Sequence, residues 1–142
     1  MPKIERSIEI GSSKDVLWEI ISDLENEPKY WYGTKEVRTL SRNENEIDRE
    51  IVQNFRGHII LQRAVLKPKY EIEIRYLKGI VKGVKVISIE QIEQQKQRLK
   101  VRWDISFSGA YKLMARTIEK HTAEGTTHAL ERIKQAAEAN PI

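Results

Sequence analysis

The sequence predicts an α+β fold: one strand, two short helices, six further strands in antiparallel succession and one long C-terminal helix. Three observations carry this. Residues 3–10 and 34–107 alternate apolar and polar side chains with the period of two that a half-buried strand requires. The stretch after Ser12-Ser13, and everything beyond Ser108-Gly109, switches to helical spacing. Between the runs stand turn-forming residues. A chain of 142 residues fits a single domain, 1–142, with one core.

In chain order, Ile4, Arg6, Ile8 and Ile10 share one face of the first strand, which Gly11 ends. Ser12 and Ser13 are both competent N-caps, and Ser12 with Asp15 resembles a capping box. Val16, Leu17, Ile20, Ile21 and Leu24 form the apolar face of a helix running to about Asp23. Pro28 permits a second short turn, which Gly33 closes. Within it, Tyr30, Trp31 and Tyr32 put three aromatic rings in succession. Strands follow over TKEVRTLS, NEIDREIVQNF, HIILQRAVLK, KYEIEIRYL, VKGVKVISIEQIE and RLKVRWDISF, separated by RNEN, Arg56-Gly57, Pro68, Gly79 and QQKQ. The last strand alternates most cleanly, with Leu99, Val101, Trp103, Ile105 and Phe107 on one face and Arg98, Lys100, Arg102 and Asp104 on the other. Such alternation suits antiparallel strands with one wet face. In the final helix one stripe runs from Ala110, Leu113, Met114, Thr117 and Ile118 through His121, Gly125, Ala129 and Ile133 to Ala136.

Composition excludes several chemistries. There is no cysteine, hence no disulfide, thiolate nucleophile or cysteine-ligated metal. The net charge is +4 with 32% charged residues, and the signs alternate along most segments. The opening MPKIERSIEI resembles neither a signal nor a transit peptide, and no apolar run reaches the roughly 20 residues of a membrane span, so a cytoplasmic protein is expected. His121 and His128 are seven residues apart, about 10 Å along a helix axis, too far to share an ion. No metal, cofactor or catalytic residue is assigned. Lys96, Arg98, Lys100 and Arg102 form a basic stripe, but Trp103 has the opposite parity, so no aromatic interleaves it and a solvated sheet face is expected rather than a nucleic-acid site.

The opening IERSIEIGSSKDVLWEIISDLENEPKYW and the closing GAYKLMARTIEKHTAEGTTHALERIK resemble the SRPBCC superfamily, the START/Bet v 1-like helix-grip proteins. The resemblance covers nearly the whole chain. It implies a curved antiparallel sheet of about seven strands around the last helix, with an apolar cavity between them. Trp31 would then stand near a cavity mouth, with Tyr30 and Tyr32 lining or gating it; alternatively Trp31 plugs the end of the core and the tyrosines lie on the surface. On this reading the lining comes from Tyr70, Tyr76, Trp103 and Ile105 of the strands. The helix would add Leu113, Met114, Thr117 and His121.

Polar residues on apolar faces are the candidates for ligand chemistry. Arg6 has the parity of Ile4 and Ile8, and Arg49 that of Ile47, Ile51 and Gln53. A guanidinium turned inward needs an anion, either a ligand carboxylate or an internal partner such as Glu90, unless it sits at a wet strand end. His121 is suited to orienting a ligand or exchanging a proton, or is a satisfied core histidine. Gly125 lets a ligand or strand approach the helix, or marks a kink. The expected function is binding of a hydrophobic small molecule or lipid. The alternatives that the resemblance supplies are a polyketide cyclase/aromatase-like enzyme and a coenzyme-Q-binding or ribosome-associated interaction protein.

Overall fold

The computed structural model describes residues 3–139. Strand β1 spans Lys3–Ile10 and leads into helix α1, Lys14–Ser22. A 3₁₀ turn, Leu24–Lys29, contains Pro28. The strands β2 Thr34–Asn43, β3 Glu46–Gln53, β4 Ile59–Lys67, β5 Glu71–Lys78, β6 Val81–Glu93 and β7 Lys96–Phe107 follow. A second 3₁₀ segment, Gly109–Met114, precedes helix α2, Ala115–Glu138.

Every strand pair is antiparallel, and the sheet order is β1-β7-β6-β5-β4-β3-β2. Consecutive strands are neighbours except at β1, which joins β7 with Ile4 opposite Trp103 and Ile8 opposite Leu99. At Gly83 (φ +119°) a side chain is sterically forbidden: a Cβ there would lie 2.1 Å from the Asp104 carbonyl oxygen. Glycine thus lets β6 approach β7 more closely than any other residue permits.

Ser13, not Ser12, caps α1, its hydroxyl accepting from the Val16 N–H at 3.2 Å. Ser12 is buried instead and donates to the Ser13 carbonyl. The two ends of the described chain meet: the Gly11 N–H donates to Glu138 at 2.7 Å, and Lys134 donates to the Glu9 carbonyl at 2.8 Å.

The main core lies beneath α1 and the C-terminal half of α2, where Ala129, Leu130, Ile133 and Ala137 meet Ile10, Leu17, Ile72, Ile87 and Leu99. Ala137, rather than the expected Ala136, completes the helix stripe. A smaller cluster gathers Ile60, Val81, Ile105 and Phe107 near the 3₁₀ segment and Ile118. The helical pattern read from Gly109 onward needs correction here. Its first six residues form the tighter 3₁₀ turn, which slips the phase of the stripe. Leu113, expected to face inward, is 93% exposed.

Three of the four residues of the basic stripe on β7 are paired across the wet face. Lys96 and Arg98 reach Glu9 at 3.2 and 3.3 Å, Arg98 also reaches Glu90 at 2.8 Å, and Lys100 reaches Glu5 at 3.6 Å. These carboxylates offset the charge that a phosphate backbone would have to meet. Among the described residues, no helix is long and apolar enough to cross a membrane.

Candidate functional site

The N-terminal half of α2 stands off the sheet and leaves a cavity of about 530 Å³. Strand residues Ile51, Tyr76, Val81, Trp103, Ile105 and Phe107 supply most of its wall, and Met114, Ile118 and Thr122 supply its helical side. The rim is exposed, with Tyr32, Gly33, Asn54 and Phe55 on one side and Thr117, His121 and Gly125 on the other. The cavity ends where the Trp103 indole donates to the Thr126 hydroxyl at 3.0 Å, the point from which α2 packs on the sheet.

The three successive aromatics divide their tasks. Trp31 turns inward, edge-on to Trp103 with ring centroids 6.2 Å apart. Arg132 of α2 braces the flanking residues: its guanidinium donates to the Tyr30 carbonyl at 2.9 Å and lies 3.4 Å from the ring centre of exposed Tyr32, while the Tyr30 ring packs half-buried against the main core. Tyr76 stacks on Trp103 with ring centroids 6.4 Å apart. Burial, with Glu27 nearby, pushes the Tyr76 hydroxyl above the usual phenol range, so it stays neutral.

A buried polar cluster closes the inner end. Arg49 is 1% exposed and is held by the Gln62 side-chain oxygen at 3.0 Å and the Glu27 carboxylate at 2.7 Å. The second Glu27 oxygen accepts from the Thr34 hydroxyl at 2.6 Å. Desolvation works to raise the Glu27 carboxyl, but Arg49, Lys85 and these hydrogen bonds outweigh it and hold it below the usual carboxylate range. Lys85 is 5% exposed, and its ammonium sits 3.3 Å from the Trp31 ring centre and 4.5 Å from that of Trp103. Burial pulls Lys85 down from 10.5 to about 8, with Glu27 opposing and Arg49 adding to the shift.

At the other end, the His58 ring meets the Tyr111 hydroxyl at 2.7 Å, and Phe55 packs edge-on to Tyr111. This contact ties the β3–β4 turn to the 3₁₀ segment before α2.

Of the residues expected from sequence, Trp31, Tyr76, Trp103, Ile105, Met114, Thr117 and His121 line the cavity. Arg49 lies directly behind the lining, and its anion is Glu27, not Glu90, which pairs with Arg98 instead. Three residues lie outside. Arg6 is exposed and donates to the Glu5 carbonyl, because β1 is an edge strand whose open side lets a long side chain reach water. Tyr70 is 63% exposed, since β5 begins only at Glu71 and leaves the ring in the preceding turn beneath Lys14. Leu113 is turned out by the 3₁₀ segment. Gly125 faces open cavity: a Cβ built there meets no atom within 4 Å.

Lys85, Glu27, Gln62 and Thr34 were absent from the expected set. Two of them carry a readable signal. Lys85 has the parity of Val81, Ile87 and Ile89, and Gln62 that of Ile60, Ala64 and Leu66. Nothing in LENEPK separates Glu27 from its acidic neighbour Glu25.

No family model matches the chain by sequence, and no curated protein does. Solved structures do. The Zhui aromatase/cyclase from a Streptomyces species superposes with a TM-score of 0.85 at 17% identity, over 96% of this chain and 93% of that one. A protein of Thermus thermophilus gives 0.84 at 12% identity, over 99% of this chain and 100% of that one. A START superfamily protein from Mycobacterium smegmatis gives 0.76 at 17% identity, over 94% and 97%. The long α2 against a seven-stranded antiparallel sheet, shared with these structures at such coverage, shows that the chain has their helix-grip fold.

Proposed function

We propose that this chain is a single-domain binding protein that takes a hydrophobic small molecule or lipid between the sheet and the N-terminal half of α2. The observation that carries this reading is the cavity of about 530 Å³, walled mainly by apolar and aromatic side chains and open at one rim. A space of that size falls within the range of small-molecule sites. A solid core would instead continue the packing seen at Ala129, Leu130 and Ile133. Apolar burial supplies the affinity, and the few polar groups that face inward orient the ligand.

The test is native mass spectrometry of the protein purified without added ligand, followed by denaturing extraction. A defined extra mass that a Gly125→Leu variant no longer carries supports the reading. A clean mass, together with no uptake of added apolar compounds, overturns it.

A second reading, a cyclase/aromatase-like enzyme, is favoured by one observation: Lys85 and His121 line the same cavity and could polarise a carbonyl and exchange a proton. Cyclisation of a linear poly-β-carbonyl thioester that is lost in both Lys85→Met and His121→Ala would support it. Turnover unchanged by both substitutions would remove it.

A further inference from the structure

The buried charges at the inner end of the cavity do not balance. One carboxylate, Glu27, faces two cations, Arg49 and Lys85. Each Glu27 oxygen accepts one hydrogen bond, from Arg49 and from Thr34 respectively. Lys85 forms no ion pair within 4 Å and no hydrogen bond among the described residues: the faces of Trp31 and Trp103 lie against its ammonium, and Glu27 acts on it only from farther off. Ring faces offset part of the cost of burying an ammonium, but they do not supply the anion that a desolvated charge calls for. Arg49 Nη1 is likewise buried with no acceptor. Unlike Arg49, Lys85 lines the cavity itself, where a ligand can reach it.

Resting on the reading of this cavity as a ligand site, we infer that its ligand is a hydrophobic carboxylate, with its oxygens on the Lys85 ammonium and its apolar body between Trp103, Ile105, Phe107 and Ile118. The orientation follows from the wall. The unmatched positive charge lies at the inner end, and the walls nearer the 3₁₀ segment are apolar. Charge and apolar surface are thus segregated along one cavity, the complement of an amphiphile. The low titration range of Lys85 agrees with an ammonium that lacks a partner but is still charged at neutral pH.

Titration calorimetry of the full chain at neutral pH, with 2-naphthoate and its neutral isostere 2-naphthamide, tests this. The expected result is that naphthoate binds about tenfold tighter, as a charge-assisted hydrogen bond predicts, and that the two compounds bind Lys85→Met with equal affinity. Equal affinities in the wild-type protein overturn the carboxylate assignment and leave the cavity reading standing. A preference that survives in Lys85→Met also overturns it, because the anion would then be held elsewhere. If neither compound binds up to millimolar concentration, the cavity reading fails together with the inference.

Discussion

The Trp103 indole donates to the Thr126 hydroxyl at 3.0 Å, and Thr126 in turn donates to the Thr122 carbonyl at 2.7 Å. The pair fixes where the docked half of α2 ends and the cavity begins. Replacing Thr126 with Val keeps the shape and leaves the indole N–H without its acceptor. Loss of about 1–3 kcal/mol in urea denaturation is expected, with a change in tryptophan emission as Trp103 seeks another partner. An unchanged midpoint and spectrum would show that the bond does not hold the ring.

Gly125 separates cavity from fold. Its Cβ position meets nothing within 4 Å, so Gly125→Leu projects into open space rather than into the sheet. The helix should gain up to about 1 kcal/mol from the better propensity of leucine, while ligand uptake falls at least about tenfold because the space is filled. Thermal denaturation and a binding titration on the same sample check both halves. A large drop in melting temperature would mean that the space is not there.

Lys85 should make stability depend on pH in the alkaline range. Its folded value of about 8 lies below 10.5, so between these values the unfolded chain binds more protons and stability rises with pH. Below about 8 both states are protonated and the full cost is present, about 3 kcal/mol for a shift of this size. Lys85→Met should therefore stabilise the ligand-free protein at pH 7, with the gain shrinking toward pH 10.5. Unfolding free energies of the two proteins across that window decide the matter.

Glu27 and Arg49 should behave as a unit. Glu27→Gln leaves a buried guanidinium without its anion and should cost about 3–5 kcal/mol, whereas Glu27→Gln combined with Arg49→Met should cost less. The Glu27 carboxyl is held below the usual range, so its contribution is complete above the ordinary carboxylate value and is lost as pH falls through the folded value. The double variant should lack that part of the acid limb. Additive costs in chemical denaturation would argue that the two residues act independently.

The His58–Tyr111 contact bridges the β3–β4 turn and the 3₁₀ segment beside the cavity. If it helps to close the cavity, His58→Ala and Tyr111→Phe should each speed ligand release about fivefold, the equivalent of one hydrogen bond of about 1 kcal/mol. Stopped-flow displacement measures this directly. Equal release rates would confine the contact to a structural role.

Much of the fold was legible because most strands bury one face and each α-helix one stripe, β2 alone being exposed along nearly its whole length. The alternation in RLKVRWDISF placed Trp103 and Ile105 inward, and they are inward. Parity could not say where a strand begins, and for that reason Tyr70 was misplaced by the one residue that separates the turn from β5. Nor does periodicity distinguish a 3₁₀ turn from the first turns of an α-helix, which displaced Leu113 but spared Met114. Arg6 has the parity of inward residues, yet an edge strand leaves its side chain a way to water. The partner of Arg49 was not readable at all, because Glu27 comes from a turn whose distance from β3 in space depends on the whole sheet.

The pairing of β1 with β7 has a kinetic consequence. Ile4 and Trp103 are neighbours across nearly a hundred residues of chain, and a contact so distant in sequence must wait for costly loop closure. Trp103 is also the wall against which both Trp31 and Thr126 are set. During synthesis the inner end of the cavity is therefore among the last parts to assemble. On the proposed ligand reading, a molecule that fits it selects chains whose folding is already complete, and its capture doubles as a readout of maturation.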